Sequence, residues 1–275
     1  MLLAIDIGNS SISVGVFAVS VDSAPKPITT FKISSRDFSA DEFALYVKDF
    51  LSRNNIYTAK DNSNNREHIV DASVVSSVVP KLTSVISMAM HKLCGKPPFI
   101  ISSGIRTGFG IQIKNPEQLG TDIVCNSAAA IALTSGPLVV LDMGTATTIS
   151  VIDKNLTIIG TIIAPGIQIS LDALYDSAAQ LGDNVIDQNI PLIGKDTKSS
   201  ISSGVILGSA FMIDGFLRSI REELLCKESG EKLSLIATGG LAPMVLPYLK
   251  NKFSYVESLT LQGAAILYQK NNKIV

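Results

Sequence analysis

The segment LLAIDIGNSS at residues 2–11 has a near copy in LVVLDMGTAT at residues 138–147. Each copy is an apolar run that ends in Asp-x-Gly and continues into small hydroxyl or amide residues. The second copy begins about halfway along the 275-residue chain. Self-similarity at such a spacing indicates a duplicated domain.

Each copy is typical of a buried strand followed by a phosphate-binding turn. The glycine lets the backbone bend and lets a ligand approach it closely, and successive backbone N–H groups form a concavity that binds anions. Because a carboxylate repels phosphate, Asp6 and Asp142 are better suited to hold a bridging cation such as Mg2+. One copy alone would favour a simple hairpin turn, whereas two matching copies favour a nucleotide site.

The composition narrows the class of protein. Charged residues make up 17% of the chain, hydrophobic residues 46%, and the net charge is −1. A near-neutral chain argues against nucleic acid or a membrane surface as a partner. Cys94, Cys125 and Cys226 form no CxxC pair, and His68 and His91 have no metal-ligating neighbour at short spacing. We therefore expect buried thiols in a reducing compartment, no transmembrane helix, and a cytoplasmic location.

Both halves repeat one order of elements, with antiparallel strands first and then alternating helices and strands. This order predicts mixed α/β structure twice, divided into residues 1–120 and 121–275. Strands are predicted within 2–18 and at 28–33, 69–76, 99–101, 138–142, 148–152, 156–163 and 233–238. Helices are predicted at 40–51, 82–93, 122–133, 168–180, 199–226, 244–250 and 258–268, with loops at 22–27 and 60–67.

Several further motifs occur in a fixed order along the chain. They are SSVVP at 76–80, NPEQLGTD at 115–122, DMGTATT at 142–148, GTIIAPG at 160–166, GKDT at 194–197 with Ser203-Gly204, ATGGL at 237–241 and LQG at 261–263. Together with DIGNS at 6–10, they make the chain resemble the type III pantothenate kinases of the acetate kinase–sugar kinase–Hsp70–actin superfamily. The resemblance implies an α/β fold of duplicated ribonuclease H-like (actin-like ATPase) domains with mixed sheets.

The same resemblance implies an activity. Members of the family transfer the γ-phosphoryl group of ATP to the primary hydroxyl of pantothenate, giving 4'-phosphopantothenate in the first step of coenzyme A biosynthesis. It implies Mg2+ and a monovalent cation, K+ or NH4+, as cofactors, and a homodimer as the assembly.

Roles carry over to matching positions of this sequence. Asp6 is implied to position Mg2+–ATP, Asp122 to be the catalytic base, and Asp142 to bind the monovalent cation. Thr238-Gly239-Gly240 matches the place that holds the adenosine end of the nucleotide. The implied ATP-binding residues are Asp6, Ile7, Gly8, Asn9, Ser10, Ser11, Ile12, Ser13 and Thr145. The implied acceptor-binding residues are Gly120, Thr121, Ile123 and Thr197, of which Thr197 acts from the partner subunit.

Two positions have simpler structural interpretations. Asp122 opens a predicted helix, so it could be only an N-cap. Thr197 could be only a residue at a helix start. The GKDT stretch that contains Thr197 is not a P-loop, because the upstream glycine at the required spacing is absent.

The sequence departs from the family pattern in the implied acceptor pocket. The family usually has arginine where this chain has Ile123, and many members have tyrosine where it has Ile113. Isoleucine cannot replace a bidentate guanidinium. Arg106 or Lys114 could supply the missing charge from nearby.

These residues are consistent with three functions, in this order of preference. The first is a potassium-dependent pantothenate kinase. The second is a related kinase with a different small-molecule acceptor, for which the two departures argue. The third is a non-catalytic regulatory protein similar to the Bvg accessory factors, which resemble this family.

Overall fold

The computed structural model describes residues 1–18, 25–58, 69–177, 189–225 and 232–272. The predicted loop at 60–67, the first half of the predicted loop at 22–27, His68 and Cys226 lie outside these ranges, as do the last three residues of the helix predicted at 168–180.

The first half of the chain opens with a hairpin, as predicted. Its strands are β1 (Leu2–Ile7), β2 (Ser11–Phe17), β3 (Pro27–Ser34), β4 (Tyr57–Thr58), β5 (Ile69–Val70), β6 (Ala72–Ser77), β7 (Phe99–Ile100) and β8 (Gly110–Ile111). Its helices are α1 (Ala40–Arg53), α2 (Pro80–Cys94) and α3 (Thr121–Leu133), with a 3-10 turn at Pro116–Gln118.

The second half repeats the opening hairpin. Its strands are β9 (Leu138–Met143), β10 (Ala146–Ile152), β11 (Thr157–Pro165), β12 (Ser234–Thr238) and β13 (Ser254–Tyr255). Its helices are α4 (Ile167–Ser177), α5 (Thr197–Ser202), α6 (Gly208–Leu225), α7 (Ala242–Val245) and α8 (Leu259–Asn271). A π-helical segment at Ser203–Leu207 joins α5 to α6, so the predicted long helical region is confirmed through residue 225.

The chain forms two compact units. The first contains residues 1–133 and 258–275, and the second contains residues 134–257. The boundary predicted between residues 120 and 121 does not coincide with the boundary between the two units, which lies after residue 133. The reason is that α3 and α8 pack closely on each other, and α8 also packs on β1, so both helices join the first sheet.

The two units have the same sheet topology. In the first, the strand order is β3-β2-β1-β6-β7, and in the second it is β11-β10-β9-β12-β13. In the first unit, β1 pairs antiparallel with β2 and parallel with β6. In the second, β9 pairs in the same way with β10 and β12. The burial patterns of β1 and β9 are identical, and so are those of β2 and β10. The predicted duplicated α/β fold with mixed sheets is confirmed.

Helices cover the strands of each sheet. In the first unit, α1 and α2 contribute Phe43, Val47, Ile86 and Met90 to a core with the strands. The apolar faces of these helices recur at helical spacing, as amphipathic helices on a sheet require. Ser39 caps α1 through the Glu42 N–H, and Gly95 ends α2 in the left-handed conformation.

The long helical segment from α5 to α6, residues 197–224, is long and apolar enough to cross a membrane by length and composition alone. Its mean hydropathy over 18 residues is 1.5. One side of it, including Ile206, Ala210, Ile213 and Leu217, is buried in the core of the second unit. A core helix passes the same composition test, and we interpret this segment as a core helix.

The helix predicted at 244–250 is wrong in its bounds. The structure has α7 at Ala242–Val245 and a 3-10 turn at Leu246–Tyr248. Pro247 explains the break, since proline has no N–H for a helical hydrogen bond and its ring crowds the preceding turn.

The contact between α3 and α8 depends on a glycine. A Cβ at Gly263 would overlap the Cys125 carbonyl, and small residues such as Ala128, Ala129 and Ala264 are buried on the same two helices. The helices thus approach more closely than larger residues would allow.

We expect Gly263→Ala to destabilise the protein by about 1–3 kcal/mol through overpacking. The matched control is Gly215→Ala in α6, where nothing lies within 4 Å of the added methyl. That change should stabilise by up to about 1 kcal/mol, because alanine is the better helix former. Chemical denaturation of both variants checks this. Equal effects would contradict the close approach of α3 and α8.

Candidate active site

Asp6 lies in β1 one residue before the strand ends, opposite Ser13 in β2 and beside Ser76 in β6. Ser76 Oγ donates a hydrogen bond to Asp6 Oδ1 at 2.9 Å. Ser76 is fully buried, so the Asp6 carboxylate is hydrogen-bonded to a group that water does not reach. This is the carboxyl end of two parallel strands, where α/β proteins commonly bind ligands.

The turn after Asp6 is held at both ends. The Gly8 N–H donates to the Ser11 carbonyl at 3.0 Å. Ser35, just after β3, donates its hydroxyl to the Gly8 carbonyl at 2.6 Å and its N–H to the Ser10 carbonyl at 3.0 Å. These hydrogen bonds hold the backbone from Gly8 to Ser11 in one conformation.

The predicted ATP-binding residues of this turn divide into two kinds. Ile7 and Ile12 are fully buried core residues, so only their backbone atoms face the turn. Asn9 and Ser10 are exposed, and Ser11 and Ser13 are half-buried. Of these residues, only Asn9, Ser10, Ser11 and Ser13 present polar side-chain atoms that a ligand could reach.

Thr121 opens α3 and bonds to the end of β6. Its Oγ1 accepts the Ser77 N–H at 3.0 Å, lies 3.1 Å from the Ser77 carbonyl, and lies 3.1 Å from Ser76 Oγ. The start of α3 is thus joined to the strand that holds Asp6.

Asp122 is the second residue of α3 and is half-buried. Its Oδ1 accepts the N–H of the next residue, Ile123, at 2.9 Å. An N-cap side chain accepts from two or three residues ahead, and the helix already begins at Thr121, so Asp122 is not the cap. Burial raises the pKa of Asp122, and the Ile123 N–H opposes that rise.

Cys125 lies on α3, the helix that bears Asp122. The thiol is fully buried, and burial raises its pKa well above the usual range, with the negative charges of Asp6 and then Asp122 adding to the rise. Both carboxylates therefore act on one thiol on α3. Asp6 and the start of α3, which bears Asp122, both belong to the first unit and are joined through Ser76 and Thr121. A shared site for the two carboxylates stays a prediction of the sequence.

In the second unit, Asp142 occupies the place of Asp6. It lies opposite Thr148 in β10 and beside Thr238 in β12. The Gly144 N–H closes the turn by donating to the Ala146 carbonyl at 3.1 Å, as Gly8 does in the first unit. Thr145 at the tip of this turn is exposed.

Two glycines crowd the Asp142 turn. A Cβ at Gly166 would overlap the Thr145 carbonyl, and one at Gly239 would overlap the Met143 carbonyl. Gly239 also has a φ of 95°, in the region that side chains disfavour. Backbone from three parts of the second unit therefore meets here without intervening side chains, which suits close approach to a ligand.

Tyr255 in β13 lies near the Asp142 carboxylate. Burial raises the pKa of Tyr255, and the charges of Glu257 and Asp142 add to the rise. Its hydroxyl donates to the Gly239 carbonyl at 3.3 Å. The TGG segment at 238–240 and Asp142 thus share one part of the second unit.

Thr197 is the first residue of α5 and is exposed. Asp196 caps this helix, accepting from the Ser199 N–H at 2.8 Å, and that bond lowers the pKa of Asp196. Thr197 therefore is a residue at a helix start, as the simpler interpretation held. It also lines a cavity of about 620 Å³ together with Leu174, Gly194, Lys195, Asp196, Ser200, Ile201 and Gly204.

The remaining predicted acceptor residues lie around the start of α3. Gly120 precedes the helix, and the Ile123 side chain is 8% exposed, so it faces the protein interior. Arg106 and Lys114 are both exposed. The backbone of Arg106 is fixed by two bonds to the Asn271 side chain, each 2.9 Å.

The donor set fits the implied Mg2+. Among the described residues, no three His, Cys, Asp or Glu side chains group as a metal cluster. Mg2+ in nucleotide sites needs no such cluster, because it binds through one or two carboxylates and the substrate phosphates. Asp6 offers one such carboxylate, and the Asp142 carboxylate offers oxygens of the kind that a monovalent cation binds.

Sequence reasoning missed the roles of two hydroxyls. The sequence places Ser76 only within the SSVVP motif, and it implies only an acceptor contact for Thr121. In the structure, Ser76 links Asp6 to Thr121, the first residue of α3. The signal was available in part: Ser76 ends an apolar strand, and the ends of neighbouring parallel strands meet at one edge.

Comparison with known proteins agrees with this geometry. The model of the type III pantothenate kinase family matches residues 2–219. The chain is 33% identical over 274 residues to the type III pantothenate kinase of Agathobacter rectalis, covering 99% of this chain and 98% of that protein. It is 35% identical over 274 residues to the enzyme of the same name from Dictyoglomus turgidum, covering 98% and 100%.

This chain belongs to the type III pantothenate kinase family. It is therefore a kinase. A solved structure of a conserved Baf family transcriptional activator from Campylobacter jejuni has the same fold, with a TM-score of 0.54 and 19% identity over 98% of both chains. The candidate base and the turn after Asp6 belong to one unit, and the turn after Asp142 belongs to the other.

The raised pKa of Asp122 predicts how stability changes with pH. Relative to an Asp122→Asn variant, the wild type should lose stability as pH rises from the ordinary value of 3.8 through the raised pKa. The reason is that the folded state binds the proton more tightly than the unfolded state. A pKa difference of one between the two states corresponds to about 1.4 kcal/mol.

Thermal unfolding of both proteins across this pH range measures the difference. Glu117→Gln is the matched control for the loss of one carboxylate, since Glu117 is an exposed carboxyl in the preceding turn. A wild-type Tm that stays parallel to that of Asp122→Asn at all pH values would contradict the raised pKa.

Proposed function

We propose that the residues above carry out the reaction of the family, the transfer of the ATP γ-phosphoryl group to pantothenate to give 4'-phosphopantothenate. The observation that carries the proposal is the link between Asp6 and the helix start that bears Asp122. Ser76 Oγ donates to Asp6 Oδ1 at 2.9 Å, and Thr121 Oγ1, one residue before Asp122, lies 3.1 Å from Ser76 Oγ. The protein is also similar along nearly its whole length to type III pantothenate kinases. Phosphoryl transfer needs charge neutralisation, in-line placement and a proton acceptor. The first unit offers a residue for each need.

Asp122 serves as the general base in this proposal. It accepts the proton of the acceptor's primary hydroxyl as that oxygen bonds to the γ-phosphorus, and the bond from phosphorus to the β,γ-bridging oxygen breaks, leaving ADP. A pKa raised towards working pH makes a carboxylate a better proton acceptor. Burial beside α3 supplies that rise.

The phosphate contacts come from the two turns. The turn of the first unit presents Asn9, Ser10, Ser11 and Ser13 as its polar groups. The turn of the second unit, taken by itself, presents Thr145. Asp6 holds Mg2+ on the nucleotide, and Asp142 holds K+ or NH4+. When bound, these cations neutralise the phosphate charge.

The acceptor pocket lacks the family's arginine, and the buried Ile123 side chain cannot take its place. This observation favours a second candidate function, a kinase for a different small acceptor. The two exposed cations nearest in sequence, Arg106 and Lys114, are the groups that would bind the pantothenate carboxylate if the acceptor is unchanged.

A coupled ADP-release assay tests the function. With ATP, Mg2+ and K+, we expect release that depends on pantothenate. Asp122→Asn should lower kcat by about 10²–10⁴-fold, the usual contribution of a general base, while ATP still binds in a thermal-shift titration. Glu117→Gln should leave kcat unchanged.

Two outcomes would count against this assignment. Release that is independent of pantothenate but appears with another small alcohol would establish the second candidate. Full activity of Asp122→Asn would remove Asp122 from the role of base.

We further propose a homodimer in which Thr197 acts on the partner's acceptor site. Exposed apolar side chains support a contact between copies, because large exposed apolar groups mark interaction surfaces. Leu192 and Ile193 are exposed next to the cavity that Thr197 lines, and Ser203 holds this segment by donating to the Leu192 carbonyl at 2.7 Å. The buried, free thiols of Cys94 and Cys125 suit the reducing cytoplasm, where we place the protein.

Mixing two inactive variants tests the trans role. Asp122→Asn and Thr197→Ala, each impaired alone, should regain activity when subunits are exchanged, up to about a quarter of the wild-type sites if hybrids form at random. The intact site would combine Asp122 of one copy with Thr197 of the other. No recovery with demonstrated hybrid dimers would place both residues in one subunit's site or leave Thr197 without a role.

A further inference from the structure

The two hydroxyls of Ser76 and Thr121 form a chain between Asp6 and helix α3. Ser76 Oγ donates to Asp6 Oδ1 at 2.9 Å, and Thr121 Oγ1 lies 3.1 Å from Ser76 Oγ. Thr121 is anchored in turn by the Ser77 N–H and lies within bonding distance of the Ser77 carbonyl. The chain thus links three elements that are far apart in sequence: β1, β6 and α3.

Proton counting limits how the chain can be arranged. Each hydroxyl has one proton. The acceptors that the two protons face are Asp6 Oδ1, the neighbouring hydroxyl and the Ser77 carbonyl, and the Cys125 thiol also bonds to the Ser76 side chain. Since an ionised carboxylate is the strongest acceptor, Ser76 directs its proton to Asp6. Thr121 then donates either to Ser76, which strengthens the Ser76 bond to Asp6, or to the Ser77 carbonyl.

Burial makes the chain costly to break. Ser76 is fully buried, and the adjacent Cys125 thiol is fully buried and neutral. A buried polar group that loses its partner keeps its full desolvation cost. Asp6 is therefore held in one orientation unless β6 or α3 moves.

The duplicated unit has a different arrangement at the corresponding place. Thr238 stands beside Asp142 in the parallel register, as Ser76 stands beside Asp6. The Thr238 hydroxyl reaches the Glu257 carbonyl at 3.5 Å. The hydroxyl chain to a helix start is thus a feature of the first unit, where the base lies.

We propose that Ser76 and Thr121 are positioning residues that fix the Asp6 carboxylate relative to Asp122, so that nucleotide and base are held in register. This inference rests on the proposed roles of Asp6 and Asp122. It assigns Thr121 a role through Asp6 instead of contact with the acceptor. Displacements of about 1 Å in such constellations cost up to about 10²-fold in rate.

Substitution of Thr121 tests the proposal. Thr121→Val removes the hydroxyl and keeps the branched shape, and it should lower kcat about tenfold or more and raise the Mg2+ concentration for half-maximal activity. Thr121→Ser keeps the hydroxyl and should stay within about threefold of wild type in kcat/KM. The KM for pantothenate should not change in either, whereas loss of a direct acceptor contact would raise it.

The matched control is Ser127→Ala. Ser127 lies on the same helix and is fully buried, and its hydroxyl has no hydrogen-bond partner among the described residues. This change should leave kcat and the Mg2+ requirement unaltered. Tm values of all variants separate loss of positioning from loss of folding.

A double variant tests whether the two hydroxyls act as one chain. Ser76→Ala should raise the Mg2+ requirement at least as much as Thr121→Val. Ser76→Ala/Thr121→Val should be little worse than Ser76→Ala alone, because residues in one network are not additive. Strictly additive losses would overturn the chain.

Other results would also overturn the proposal. Thr121→Val that behaves like Ser127→Ala, Thr121→Ser that fails to restore activity, or a raised KM for pantothenate with an unchanged Mg2+ requirement would each do so. Failure of the proposed function is a separate result, since it appears in the wild type as ADP release that does not depend on pantothenate.

Discussion

The parallel pairing of the first strand of each unit is the constraint on which the rest of the site depends. β1 pairs parallel with β6, and β9 pairs parallel with β12. Parallel pairing aligns the carboxyl ends of both strands at one edge, which places a hydroxyl residue beside each aspartate. A shift of one residue would turn every side chain of the strand to the opposite face. Both faces of β1 are buried, with Leu3 and Ile5 in the core under α1 and α2 and with Leu2 and Ala4 on the opposite face. A shifted strand would exchange side chains of different size between two packed cores, and this fixes the register.

The two units share a plan but differ in the surroundings of the turn after each aspartate. The turn after Asp6 is held by Ser35 and faces a helix start that carries Asp122. The turn after Asp142 is crowded by glycines of two other segments. One copy of the duplicated unit thus combines its Asp-x-Gly turn with the candidate base, while in the other copy the turn is surrounded by glycine backbone. The two units therefore share one strand order and differ in the segments that surround each turn.

The sequence predicted those parts of the fold that local patterns determine. The repeated strands, the Asp6 and Asp142 turns and most helices were predictable from apolar periodicity and turn residues. The sequence did not predict that α8 joins the first sheet, because the Gly263 contact with Cys125 joins residues far apart along the chain. It also did not predict the Ser76 bond to Asp6, which depends on strand register. At Asp122, the sequence left cap and base open, and the bond to the Ile123 N–H argues against the cap.

The placement of α8 has a consequence for how the protein is made. Domains generally fold as units during synthesis, beginning with the N-terminal one. Here the first unit contains a helix at residues 259–271, which is synthesised after the whole second unit. The surface of α3 that receives Gly263 therefore stays uncovered while the second unit is made. The candidate base lies at the start of α3, so the unit that bears it is completed only after the second unit has been synthesised.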